Sequence, residues 1–146
     1  MESSQVRRVL IVANRTAATP TLLDHVTQLV RERPSTFSLL IPDTPKSEHT
    51  DWTMELALPL LERAADGPVD GLTGEDDPFE AIRRAVDEGH YDEIVISTLP
   101  TRVSKWLRRD LPRRVQSLGL PVTVVTPDRE RLQYTGSTGA GGMGTG

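Results

Sequence analysis

Six basic side chains, Arg102, Lys105, Arg108, Arg109, Arg113 and Arg114, fall within one short stretch and face a single acid there, Asp110. That stretch carries +5 and leaves −9 on the rest of a chain whose net charge is −4. A local positive field on an acidic body suits capture of an anion. Nucleic acid is the larger candidate of that kind. It usually needs several stacking rings and a wider basic field, whereas Trp106 alone is interleaved with these basics. Its spacing from Val103 and Leu107 places it against a sheet. Nucleic acid is therefore not expected as a partner, and a small anion fits the stretch better.

Other chemistry finds little support. His25, His49 and His90 are scattered, and His90 follows a helix end, where a cation is favoured. Glu75-Asp76-Asp77 has the charge for a divalent ion, but starting a helix accounts for it fully, so no metal is expected. The chain has no cysteine, hence no thiolate ligand, disulfide or cysteine nucleophile, which suits a reducing compartment. No Ser-His-Asp order, nucleophile elbow or paired catalytic carboxylates can be singled out. No catalytic residue is assigned, and an enzyme is not the expected class.

The elements that must position these residues follow from hydrophobic patterning. Val9-Leu10-Ile11-Val12-Ala13 is a continuous β-branched run, as in a strand buried on both faces; Ile94-Val95-Ile96 is a second. Strands are expected near 8–13, 36–41, 69–73, 93–97 and 121–126, the third weakened by Gly71. After Pro20, the residues Leu22, Leu23, Val26, Leu29 and Val30 form a helical stripe. A second helix runs roughly from Thr50 to Ala65, with a kink or late start at Pro59. Asp77 reads as an N-cap, with Pro78 in the first position and Glu80 completing a capping box. Val103, Leu107, Leu111, Val115 and Leu118 make 103–118 helical. Pro112 divides it in two, with Asp110 capping the second piece and Gly119 as its C′ residue.

Strand and helix thus alternate four times before a closing strand. That order makes a doubly wound, Rossmann-like parallel five-stranded α/β sheet with helices on both faces. Residues 1–127 form one domain of a size that buries about two-thirds of its extended surface. Six of the last twelve residues are glycine, so 128–146 reads as a disordered tail. The polar start Met1-Glu2-Ser3-Ser4-Gln5 has no signal-peptide core. No run approaches the roughly 20 apolar residues of a membrane span, so a cytoplasmic protein with no membrane partner is expected.

The opening Arg8-Val9-Leu10-Ile11-Val12-Ala13, the passage Asp92-Glu93-Ile94-Val95-Ile96-Ser97-Thr98 before a basic helix, and the closing Gly119-Leu120-Pro121-Val122-Thr123-Val124-Val125 resemble the universal stress protein family over about residues 6–126. The last piece looks like that family's terminal "cPVlvV" strand. The resemblance implies a strand order of 3-2-1-4-5, homodimers formed through the last strand and a role in stress response. Family members that bind ATP carry Gly-x2-Gly-x9-Gly-Ser/Thr after strand four and an acid ending strand one. Here Asn14 stands at the acid, Ser97 and Pro100 near the early glycines, and Arg109-Asp110 near the late pair. Bare glycine backbone admits phosphates to peptide N–H groups; proline removes one such donor, and Asp110 adds a like charge. The ATP site does not carry over, and no cofactor is expected, ATP being possible but disfavoured.

Ligands of open parallel sheets collect outside the carboxyl ends of the strands where the strand order reverses. With the order that the resemblance implies, this crevice lies between strands one and four. Asn14, Arg15, Thr16, Ser97, Thr98, Arg102, Ser104 and Lys105 would line it. Ser104 could cap a helix there, leaving N–H groups with Arg102 or Lys105 to hold an anion. The competing reading is that Asn14 and Ser104 satisfy local backbone and the basics form a solvated face. The function expected is a non-catalytic, universal-stress-like binding or regulatory module, dimeric through Val122-Thr123-Val124, acting on a small anion or a protein partner. Its rival is an ATP- or AMP-binding stress protein, or slow ATPase, using the same crevice.

Overall fold

A computed structural model describes residues 6–13, 16–42, 48–74, 77–98, 106 and 110–126, with backbone alone over 48–53. Five strands, β1 (Arg7–Val12), β2 (Ser35–Ile41), β3 (Val69–Thr73), β4 (Glu93–Ser97) and β5 (Val122–Val125), make one sheet. Every pairing in it is parallel, and the order is β3-β2-β1-β4-β5. The two continuous apolar runs, β1 and β4, hold central positions, as expected. Val9 to Val12 and Ile94 to Ile96 have no exposed surface at all.

Side chains alternate across the sheet. Val9 and Ile11 of β1, with Val95 of β4, pack beneath α1 (Pro20–Glu32) and α2 (Glu48–Ala65) through Leu22, Val26, Leu29, Ala57 and Leu61. Leu10, Val12, Ile94 and Ile96 face the other way. They pack against Ala81, Ile82 and Ala85 of α3 (Pro78–Gly89) and against Leu111 and Val115 of α4 (Leu111–Gln116). The chain is therefore doubly wound, its first two crossover helices on one face and the others opposite.

Most local signals act as the sequence predicts. α1 begins at Pro20 as expected, and Thr19, not singled out above, caps it, its Oγ1 accepting from Leu22 N. Asp77 caps α3 by accepting from the N–H groups of Phe79 (3.0 Å) and Glu80 (3.3 Å), and Pro78 stands in the first turn. Glu80 does not complete the expected capping box: its carboxylate accepts from Arg83 at 2.6 Å rather than from Asp77 N. Gly71 weakens β3 for a packing reason: a Cβ there would lie 2.9 Å from Met54 Sδ, so α2 can sit close only over glycine.

Three further local expectations need correction. Helix α2 runs unbroken through Pro59 and starts at Glu48, earlier than Thr50 rather than later. Pro59 and Glu55, whose carbonyl it leaves without a helical donor, both lie on the exposed side, where water replaces the lost bond. Asp110 precedes α4 in the left-handed region (φ 61°) and its side chain makes no cap bond. In that conformation the carboxylate swings away from the helix N–H groups and pairs with Arg113 at 3.5 Å. Gly119 does have a positive φ of 92°, but it comes after Ser117 and Leu118, one residue beyond a C′ position. Of the first piece expected over 103–118, only Trp106 is described; it is helical, half-buried and packed on the α3 side of the sheet.

Candidate functional site

The strand order reverses between β1 and β4, where both crossovers leave in opposite directions. The carboxyl ends of these two strands are joined side chain to side chain. Thr16 Oγ1 and Ser97 Oγ lie 2.7 Å apart, and Ser97 Oγ donates to the Thr16 carbonyl at 3.3 Å. With the Ser97 proton on that carbonyl, the Thr16 hydroxyl donates to Ser97. Both protons are thereby used inside the pair.

The same turn continues into α1. The Thr16 carbonyl also accepts from Thr19 N (3.3 Å) and Thr19 Oγ1 (3.1 Å), so one carbonyl ties the exit of β1, the cap of α1 and the end of β4. Thr98 adds the third strand, donating its N–H to the Val125 carbonyl at 2.9 Å. Thr16, Ser97 and Thr98 are 3%, 1% and 5% exposed. These values decide what they can offer: all three are buried at the carboxyl ends of β1 and β4, and the hydroxyl protons of Thr16 and Ser97 are spent on each other.

Asn14, Arg15, Arg102, Ser104 and Lys105 lie outside the described residues, as does the glycine-rich segment 128–146. The structure thus brings together Thr16, Ser97 and Thr98 of the expected set. Of the basic stretch, Arg113 and Arg114 are described and both have acidic neighbours. Arg113 pairs with Asp110, while Arg114 stacks over Phe79 (4.8 Å) and reaches Asp77 at 3.9 Å. These two belong to the α3–α4 surface, and Arg114 bridges it.

Elsewhere a shallow groove of ≈ 500 Å³ runs between Pro59, Glu62, Arg63, Gly67 and Pro68. It opens beside the start of β3, far from the crevice, and its carboxylate Glu62 already accepts from Val69 N at 3.1 Å. Among the described residues no group of three or more His, Asp or Glu is placed to hold a metal. No described helix is long and apolar enough to cross a membrane.

The sequence reading passed over a polar cluster at the opposite, amino end of the sheet. Arg7, 9% exposed at the head of β1, donates to the Leu29 carbonyl (2.7 Å), Ser35 Oγ (3.1 Å) and Glu93 (3.4 Å). It also lies 3.5 Å from Glu32. One guanidinium thus joins β1, α1, β2 and β4. The signal was available: an arginine and an acid each open a strand whose remaining residues are almost all apolar.

Neither a protein-family profile nor a curated protein matches this sequence. Solved structures do. A universal stress protein in complex with cAMP superposes with a TM-score of 0.62 at 16% identity, over 84% of this chain and 98% of that one. A universal stress protein from Archaeoglobus fulgidus in complex with dAMP gives 0.59 at 18% identity, over 83% and 98%. Another structure from Archaeoglobus fulgidus gives 0.57 at 15%, over 84% and 96%.

Proposed function

Starting from the universal stress protein fold that the chain carries, we propose that it is a divergent relative of those proteins and acts as a non-catalytic, dimeric binding module of the cytoplasmic stress response. Its ligand site is the β1–β4 crevice, and its ligand carries a single phosphate or an anion of that size. The observation that carries this reading is the Thr16–Ser97 clasp, which holds the two strand ends together at the switch point. Arg102 and Lys105, with Asn14, Arg15 and Ser104, supply the donors above that clasp. Two neighbours of the fold hold monophosphates, cAMP and dAMP, which supports a ligand of that size here.

A triphosphate fits less well. Pro100 withholds a backbone donor where phosphate loops use bare glycine, and side chains replace the glycines of the loop. Calorimetry on the full chain is expected to show AMP or cAMP binding more tightly than Mg-ATP, and Arg102→Ala weakening it about tenfold or more by removal of a charge-assisted contact. A low-micromolar constant for Mg-ATP that is lost in Arg102→Ala would overturn this order and make the chain an ATP-binding protein.

Self-association is proposed through β5. That strand ends the sheet order, so one row of its N–H and C=O groups has no described strand beside it. Thr123 is exposed and Val124 is 38% exposed. Sedimentation at tens of micromolar should give a dimer, and Val124→Lys a monomer of unchanged fold. A two-fold contact meets the substitution twice, so affinity should fall by more than about tenfold, or ~1.4 kcal/mol. A monomeric parent protein would refute the proposal.

A further inference from the structure

Among the described residues, His25 Nε2 is a buried ring nitrogen with no hydrogen-bond partner. His25 lies on α1 one turn before Leu29 and two before Glu32, the positions through which α1 meets Arg7. From the opposite side of the helix, Thr27 Oγ1 donates to the Ala64 carbonyl of α2 (3.3 Å), so α2 lies away from the imidazole. The α2 carboxylate Glu62 accepts from Val69 N at 3.1 Å and is not among the charges that act on His25. The charges that act on His25 are Glu93 of β4, Glu32 of α1 and Arg7 of β1. β2 contributes Ser35 to this cluster, and β5, Val-Thr-Val-Val, has no ionisable group.

A neutral imidazole can leave an unpartnered ring nitrogen as a bare lone pair. Protonation turns that nitrogen into a buried N–H, which must find an acceptor or lose its desolvation energy. The two carboxylates within electrostatic reach are both engaged by Arg7, at 3.4 Å and 3.5 Å. An imidazolium that turns to either carboxylate brings a second cation to a group that the guanidinium already holds.

We infer that His25 is an acid-released latch: protonation sets it against Arg7 for Glu93 and Glu32, and loosens the second half of α1 from the amino ends of β1 and β4. Burial holds the His25 pKa below its ordinary 6.5, Glu93 and Glu32 oppose that shift, and Arg7 adds to it. The opened helix binds a proton at the ordinary value and the docked helix only below it. The latch is therefore fully closed above that value and weakens as pH falls through it, by at most about tenfold per pH unit.

The full chain tests this by NMR titration of the histidines and by amide exchange over residues 20–32 at about pH 7.5 and about pH 5.5, corrected for intrinsic rates. The His25 midpoint is expected below 6.5. It should fall further in Glu93→Gln, which removes a carboxylate that favours the charged ring. Opening of α1 should rise several-fold on acidification in the parent and not in His25→Gln. A midpoint at or above 6.5 overturns the inference. So does an equal acid response in His25→Gln, or one shared evenly by the amides of β1 and β4, which would mean global unfolding. Should His25→Gln fail to fold, the midpoints in the parent and Glu93→Gln decide.

Discussion

Replacing Arg7 by methionine is expected to destabilise the protein by about 3 kcal/mol, at the lower end of the range for breaking a buried charge pair from one side. Methionine keeps the apolar stem but none of the donors. The Leu29 carbonyl, which closes the last turn of α1, loses its 2.7 Å partner. Glu93, with its side chain 17% exposed, is left without its cation. Glu32 is 54% exposed and adds little, because water already screens that pair. Arg7→Lys should recover only a minor part, since a single ammonium cannot reach Ser35, Leu29 and Glu93 as a planar fork does. Urea unfolding measures all three proteins. A loss under about 1 kcal/mol, the size of one ordinary hydrogen bond, would mean that the guanidinium decorates the sheet rather than joining it.

Ile11→Ala carries the other large effect, about 4 kcal/mol. Ile11 has no exposed surface and lies in register between Leu39 of β2 and Val95 of β4. α1 and α2 cover the same face, where Ile11 belongs to the cluster of Leu22, Val26 and Leu61. Neighbours held by a sheet and two helices cannot collapse into the space left behind. The cavity cost therefore adds to the lost transfer energy and brings the sum toward the upper half of the 2–5 kcal/mol range for such truncations. Val124→Ala removes a comparable side chain at 38% exposure on the edge strand and should cost under about 0.5 kcal/mol in the monomer. A measured difference between the two substitutions below about 1.5 kcal/mol would contradict the central placement of β1.

How far the sequence discloses this molecule depends on the kind of signal. β1 and β4 are legible because a strand buried on both faces has no polar phase, and Val9–Val12 and Ile94–Ile96 show none. Asp77-Pro78 is legible because a cap and a first-turn proline act within one turn of chain. The α2 boundary was misjudged because Pro59 faces water, and exposure is a property of the assembled fold. Asp110 differs from expectation because its backbone is left-handed, which no local motif announces. At the carboxyl ends of β1 and β4, the strand order that the family resemblance implies led to Thr16, Ser97 and Thr98. Nothing in their spacing indicates that Thr16 and Ser97 bond to each other across 81 residues of chain. Arg7 escaped notice for the same reason: its partners Leu29, Ser35 and Glu93 come from three other elements, and periodicity sees one element at a time.

The order of the sheet also bears on how it assembles. β1 meets β2 and β2 meets β3 across single crossovers, so half of the sheet can close over short loops. The other neighbour of β1 arrives from much farther along: Arg8 N–H bonds the Asp92 carboxylate at a separation of 84 residues, and Arg7 reaches Glu93 at 86. Closing so long a loop is an entropic step that short-range contacts do not reward. Docking of β4 is therefore expected to be slow relative to formation of the β1–β2–β3 half. Until it happens, the strand that carries the fully buried run Val9 to Val12 presents an open hydrogen-bonding edge, the arrangement from which chains cross-pair and aggregate. Charges at the heads of both strands, Arg7 and Arg8 against Asp92 and Glu93, would favour parallel alignment in the right register over capture by another β1 edge, whose own arginines would repel it.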